Sequence, residues 1–458
     1  MLSATRKTGE TKAPAALPLV SAISLTLALL IGGSGDNYPL LTTSAELVSV
    51  LLLWYVAQDH RLFSGTPVGM PVKLFVIGLI AVPLIQLMPL PPALWHHLPG
   101  RDLPLKLLSL VGLANDWRPI SLDPEATIGN ALELLPGLAM FFAVLHLSGR
   151  DRLRLVCVFI GVALLSAVLG TLQKASGEAE TLILFETAHS AYGPGLFVNR
   201  NHQATFLLLG MLMTSAVARI LRSTRSQSMF IDAVAPAFFL VFAAGVLATA
   251  SRTGAILLVP ASLASLLIMY PGRISWRGLG IGLLLLAILF WLLLQSSAAE
   301  AVLDRFSEIG EDDRRQYWSD TAVAVGQFWP LGSGIGTFPK LYPTVQSLET
   351  VGIHYVNNAH NDWLELVLEA GIAAVALMIL FLWILASAGI RLWTIARAGG
   401  QAASLGVAAL AGILLLLVHS ASEYPLRILS IMATFGLLSG LLVGSAANGQ
   451  TGDDPKGR

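Results

Sequence analysis

Residues 362–388 read Asp362-Trp-Leu-Glu-Leu-Val-Leu-Glu-Ala-Gly-Ile-Ala-Ala-Val-Ala-Leu-Met-Ile-Leu-Phe-Leu-Trp-Ile-Leu-Ala-Ser-Ala388. A helix rises 1.5 Å per residue, so crossing the hydrocarbon core takes about 17–25 mostly apolar residues. This run is long and apolar enough to do so. Directly before it lies the opposite kind of sequence, a polar stretch from Ser297 to His360. A loop of that length set against a spanning helix predicts a membrane protein with a sizeable part outside the bilayer.

Working outward, the apolar pattern recurs along the whole chain. Candidate spans lie near 16–33, 39–57, 72–90, 127–147, 154–173, 202–221, 231–249, 254–270, 278–296, 362–388, 402–419 and 426–445. Backbone groups in lipid must pair within their own segment, and a barrel would show short alternating stretches instead. The sequence therefore predicts an all-α polytopic membrane protein of about 12 transmembrane helices, one membrane domain over residues 1–458, with 297–360 as the large loop between spans nine and ten. Composition agrees: 55% of the residues are hydrophobic and 12% charged, against about 25% charged in soluble proteins.

Other classes are excluded on similar grounds. The formal net charge is zero, so bulk charge predicts no nucleic-acid partner. One cysteine, Cys157, lies inside an apolar run; it can form neither an internal disulfide nor a zinc site. Arg6, Lys7 and Lys12 precede the apolar stretch Leu17–Ile31 in the manner of a secretory signal. That stretch is long for a cleaved signal and lacks a good small-x-small cleavage site, so it reads as a retained first span.

Basic residues set the orientation, because cytoplasmic connections accumulate Lys and Arg. With the N-terminus inside, the inner segments hold Arg6, Lys7, Lys12, Arg61, Lys73, Arg150, Arg152, Arg154, Arg219, Arg222, Arg225, Arg273, Arg277, Arg391, Arg397, Lys456 and Arg458, which is 17 of the 28 basic residues. Both termini are expected in the cytoplasm, with 447–458 as the tail. Segments 91–126, 174–201 and 297–360 then fall on the outer face, periplasmic if the setting is a bacterial inner membrane. The inner connections leave no room for a nucleotide-binding domain, so chemistry outside would draw on an already activated substrate.

Several polar residues stand at that face. His360, in Asn357-Asn-Ala-His-Asn-Asp-Trp-Leu-Glu365, has a side chain suited to taking a proton from a hydroxyl near neutral pH, although an interfacial His solvated by headgroups is the alternative. Arg252, in Ala250-Ser-Arg-Thr-Gly254, and the pair Arg314 and Arg315 offer guanidinium forks for phosphate oxygens. Headgroup snorkelling and a local ion-pair network with Asp312 and Asp313 are the competing readings. Asn199, Arg200, Asn201 and His202 form a mixed donor–acceptor surface for sugar hydroxyls or phosphate, with helix capping by Asn199 or Asn201 as a concurrent role. Asn361 is a polar neighbour that could orient the His360 ring. Glu365 and Glu369 share one helical face a turn beyond His360, within reach of an aqueous cavity. Glu46 and Glu133 fall within spans, where ionisable groups usually face the bundle interior. Gly332-Ser-Gly-Ile-Gly336 follows no strand and reads as a turn beneath Pro330 rather than a nucleotide loop.

Taken together these motifs resemble the O-antigen ligase and polymerase superfamily of bacterial membrane glycosyltransferases. The matching pieces are Phe197-Val-Asn-Arg-Asn-His202, Ala250-Ser-Arg-Thr-Gly254, Arg314 followed by Trp318, Pro330-Leu-Gly-Ser-Gly-Ile-Gly-Thr-Phe338, and His360-Asn-Asp-Trp-Leu-Glu365 with Glu369-Ala-Gly371. Pro119-Ile-Ser-Leu-Asp-Pro124 and His419-Ser-Ala-Ser-Glu-Tyr-Pro-Leu-Arg427 fit as well. The resemblance implies a GT-C-like helical fold and transfer of an undecaprenyl-diphosphate-linked oligosaccharide to an acceptor, with inversion and without a metal or other cofactor. It implies His360 as the base and Arg252 and Arg314, or Arg315, as diphosphate holders, with Arg200 contributing to donor binding. Asn199, Asn201, His202, Asn361 and Glu365 would support them. The expected function is an exopolysaccharide or O-antigen polymerase; the alternative is a ligase whose acceptor is lipid A–core rather than another lipid-linked repeat, and transfer to a protein hydroxyl is a third variant. A chain-length regulator or export proteins would be further partners. A lipid-linked oligosaccharide transporter should carry motifs on both faces, whereas these collect on one.

Overall fold

The computed structural model describes residues 16–35, 37–58, 68–176, 182–187, 189–222, 228–270, 314–352, 355–397 and 403–448. Among them the helices are α1 (Leu17–Ile31), α2 (Pro39–Ala57), α3 (Met70–Gln86), α4 (Pro92–Trp95), α5 (Asp102–Leu110), α6 (Pro124–Leu132), α7 (Leu135–His146) and α8 (Gly149–Ala175). There follow α9 (Arg200–Leu221), α10 (Ser228–Ala248), α11 (Arg252–Met269), α12 (Arg314–Phe328), α13 (Phe338–Leu341), α14 (Asp362–Arg397), α15 (Ala403–His419) and α16 (Leu429–Asn448). Eight helical segments among the described residues are long and apolar enough to cross a membrane, and α1, α3 and α15 are shorter apolar helices. The chain is thus an all-α polytopic membrane protein. A two-residue antiparallel ladder, β1 (Pro89–Leu90) with β2 (Arg118–Pro119), is the exception to the all-helical pattern.

Every expected span except one coincides with such a helix. The ninth, 278–296, lies outside the described residues, as do Arg273, Arg277, Asp312, Asp313, both termini and the first part of the large loop. The span expected at 127–147 is broken: α6 ends and α7 begins around Glu133 and Leu134. Helix α16 runs to Asn448, and the rest of the expected tail lies outside the described residues.

At the centre stands α9, buried from Arg200 to Ala218 and packed by α8, α10, α11 and α15. Lipid tails are as apolar as Leu, so helices gain from each other chiefly by close packing, which small residues permit. The α7–α16 contact shows this: a Cβ on Gly436 would stand 2.0 Å from the carbonyl oxygen of Gly137. On the periphery, Leu40, Leu47, Leu51 and Trp54 of α2 are exposed, as suits residues turned to lipid.

One break in a helix organises the polar end of the bundle. At Gly371 α14 adopts φ 55°, ψ −132°, which interrupts its ladder and leaves backbone groups that must be paired elsewhere. The loop after α12 pairs them. The Ser333 and Gly334 amides donate to the carbonyls of Leu368 (3.1 Å) and Glu369 (2.9 Å), and the Ile372 amide donates to Pro330 (2.8 Å). Gln86 of α3 completes the set, donating from Nε2 to the Glu369 carbonyl (2.8 Å) and accepting the Ile335 amide (2.9 Å). The glycine-rich stretch is therefore a docking loop, more than the simple turn expected from the sequence. Its far side receives the Leu122 amide at Ser333 (2.9 Å).

Candidate active site

The segment between α15 and α16, residues 420–428, folds into the polar end of the bundle. Glu423 within it is fully buried. Its Oε1 accepts hydrogen bonds from Arg314 Nη2 and from Asn201 Nδ2. Its Oε2 lies 3.3 Å from His360 Nδ1 and 4.0 Å from His202 Nε2. Burial on its own would raise the carboxyl, yet Arg314 and then His360 outweigh it and hold Glu423 well below the usual carboxylate range. One anion thus organises four side chains from three separate parts of the chain.

His360 is held from both sides. Its backbone has φ 51°, a left-handed conformation that costs an L-residue roughly 1–2 kcal/mol and that His tolerates better than most. The Trp318 indole donates to its carbonyl (3.3 Å), and the preceding amide, Ala359, donates to Glu365 (2.7 Å). Asn361 Oδ1 accepts the Leu364 amide (3.1 Å), so this predicted support caps α14. The imidazole meets the Tyr424 ring edge-on at 5.0 Å and lies 6.4 Å from Tyr317. With Glu423 ionised, Nδ1 carries the proton toward it and Nε2 keeps its lone pair, the tautomer a general base needs.

Of the predicted arginines, one contacts this centre directly. Arg314 reaches Glu423, whereas its neighbour Arg315 is exposed. Arg252 opens α11, whose N-cap Ser251 accepts the Gly254 amide (3.1 Å). The next residue, Thr253, meets Ser422 at 3.1 Å, which ties the Arg252 turn to the residue beside Glu423. Arg200 bonds the carbonyls of Thr249 (3.4 Å) and Ala250 (3.3 Å) and lies 4.0 Å over the Tyr192 ring. Asn199 caps α9 through the Asn201 amide (2.8 Å) and points its Nδ2 at the Tyr424 hydroxyl (3.4 Å).

A second centre adjoins the first. Arg427 Nη2 pairs with Glu369 (2.7 Å) and Glu365 (3.2 Å), its Nε is 4.0 Å from Asp362, and its Nη1 donates to Asn130 (3.1 Å). Burial alone would lower this guanidinium, but Glu365 and Glu369 outweigh it and raise it above its ordinary value. Asp362 in turn accepts from Ser420 Oγ (2.8 Å) and the Leu426 amide (3.3 Å). The pairing fixes the 420–428 segment onto α14, so Glu365 acts here as an anchor. Sequence reasoning missed Glu423, Tyr424 and Arg427 as site residues. They stand inside a quoted motif, yet nothing local says that a loop beyond α15 returns to His360.

The stretch that carries Arg252, Arg314 and His360 also has relatives. Residues 237–379 match a family model described as O-antigen ligase. The match supports the O-antigen ligase/polymerase superfamily, as the motifs implied. No curated protein matches the chain. The matched segment starts within α10 and ends within α14, so Asn201, His202 and Glu423 join the centre from outside it.

Proposed function

We propose that this multi-pass membrane protein is a glycosyltransferase acting on undecaprenyl-diphosphate-linked glycan repeats at the periplasmic face of a bacterial inner membrane, as an exopolysaccharide or O-antigen polymerase. A ligase that delivers the glycan to lipid A–core is the second reading, since the O-antigen ligase segment is common ground for both. The observation that carries the proposal is the His360–Glu423 pair with Arg314 on the same carboxylate.

In this reading the acceptor sugar hydroxyl attacks the anomeric carbon of the donor glycan. Nε2 of His360 takes the hydroxyl proton as the new C–O bond forms. The bond from the anomeric carbon to the lipid diphosphate breaks, and its electron pair leaves with the diphosphate. Glu423 stabilises the imidazolium that results, and the charge-assisted hydrogen bonds of Arg252, Arg314 and Arg200 hold the departing anion. A single displacement inverts the anomeric carbon.

The decisive experiment is a reaction of the purified protein with lipid-linked repeats. A ladder of lengths identifies the polymerase, and product formed only when lipid A–core is added identifies the ligase. No transfer under either condition would overturn the proposal.

A further inference from the structure

Beside the catalytic candidates lies a cavity of about 200 Å³, walled by Asn37, Asn130, Asn199, Asn357, Asn358 and Tyr424. That is many times the roughly 10–15 Å³ one water needs, enough space for a sugar ring. We propose that this cavity is the subsite for a neutral, hydroxyl-rich acceptor sugar. The inference rests on the transferase reading above and adds to it where the acceptor sits.

Its lining chemistry selects the ligand. A side-chain amide offers both donors and an acceptor without charge, and a sugar hydroxyl does the same. Among the described residues the side chains of Asn37, Asn357 and Asn358 make no hydrogen bond within the protein, so their capacity is open to a ligand. The cavity is the wrong place for a diphosphate. Arg200, Arg252 and Arg314 do not line it, and its one arginine, Arg427, is already committed to Glu365 and Glu369. Glu133 and Glu365 also face it and would repel an anion.

Its position fits the displacement. Tyr424 forms the wall shared with the catalytic centre, its ring 5.0 Å from that of His360 and 4.8 Å from that of His202. His360 itself does not line the cavity, so a sugar held by the asparagines is separated from the base by the Tyr424 ring. Its reacting hydroxyl has to reach past that ring, while the donor diphosphate is held by arginines outside the cavity.

The test uses the full chain in lipid nanodiscs and, as probe, the repeat oligosaccharide freed of its lipid by mild acid. With Cys157→Ser as background, Asn37→Cys is exposed to a water-soluble maleimide. Saturating oligosaccharide should slow the modification several-fold. Asn357→Ala with Asn358→Ala should weaken oligosaccharide binding about tenfold, the loss of one or two hydrogen bonds, and raise the acceptor KM with the donor KM unchanged. An oligosaccharide that leaves the Asn37→Cys rate unaltered, or that binds the double variant as it binds the wild type, would overturn the proposal. A wild-type protein that shows the protection but forms no product from lipid-linked repeats would contradict the transferase reading and leave the sugar site standing.

Discussion

Nδ1 of His360 lies 3.3 Å from Oε2 of Glu423, a residue 63 positions further along the chain. The carboxylate fixes the ring's tautomer and orientation, the division of labour of an Asp–His pair in acyl transfer.

Glu423→Gln keeps the shape and removes the charge. Transfer should fall by about 10²–10⁴-fold, the range general-base catalysis contributes, with donor binding retained. The measurement is single-turnover transfer at saturating donor. Because the folded carboxyl is held well below its ordinary value, its stabilising contribution is present above the unfolded value and lost only as pH falls through the folded one. Between pH 5 and 8 that contribution should stay constant.

Arg252→Ala and Arg314→Ala should separate. Loss of one charge-assisted bond to diphosphate costs about 1.5–3 kcal/mol, so Arg252→Ala should raise the donor KM about ten- to a hundredfold. Arg314→Ala should do so and also lower the turnover rate, because it strips a partner from Glu423. Donor titrations of both variants, with Arg315→Ala as a near-neutral comparison, check this.

Asp320 locks α12 to the loop that follows it. Its carboxylate accepts from Gln316 (2.9 Å), Tyr342 (3.1 Å) and both the amide (3.0 Å) and hydroxyl (2.5 Å) of Ser347. Burial works against the charge, but the Ser347 bonds lead a set that lowers the carboxyl below its ordinary value. Asp320→Ala should destabilise the loop by about 2–4 kcal/mol through unpaired donors. In the wild type the contribution is present above the unfolded value and should fade as pH falls below about 4. Limited proteolysis of the 314–352 region against pH measures both.

Gly371→Ala should damage the junction between α14 and the docking loop. The backbone has φ 55°, and a Cβ would stand 2.0 Å from the Pro330 carbonyl oxygen. With ψ −132° the backbone lies outside the left-handed helical region that other residues occasionally adopt, and the clash adds to that strain. Thermal unfolding in detergent reads the loss.

Much of the architecture was legible because bilayer thickness fixes how long an apolar run must be, and α2, α9 and α14 fall where their runs predict. The break at Glu133 and the kink at Gly371 were not, since both depend on what the docking loop and α3 present to them. His360 and Arg314, which the structure brings together on Glu423, both stood in motifs quoted from the sequence. Which of Arg314 and Arg315 faces Glu423 was not legible, because adjacent helical residues point in different directions and only the placement of α12 shows that it is Arg314. Glu423 itself carries no local signature; its role arises from a loop folding back over α9 and α14.

The central claim is that His360 is the base, and His360→Asn tests it most directly. Asparagine tolerates the left-handed backbone at this position better than alanine, so the variant should keep the wild-type unfolding temperature and bind lipid-linked donor normally. Transfer by the purified variant should drop at least a hundredfold. Polymer formed at the wild-type rate by a correctly folded His360→Asn protein would contradict the account.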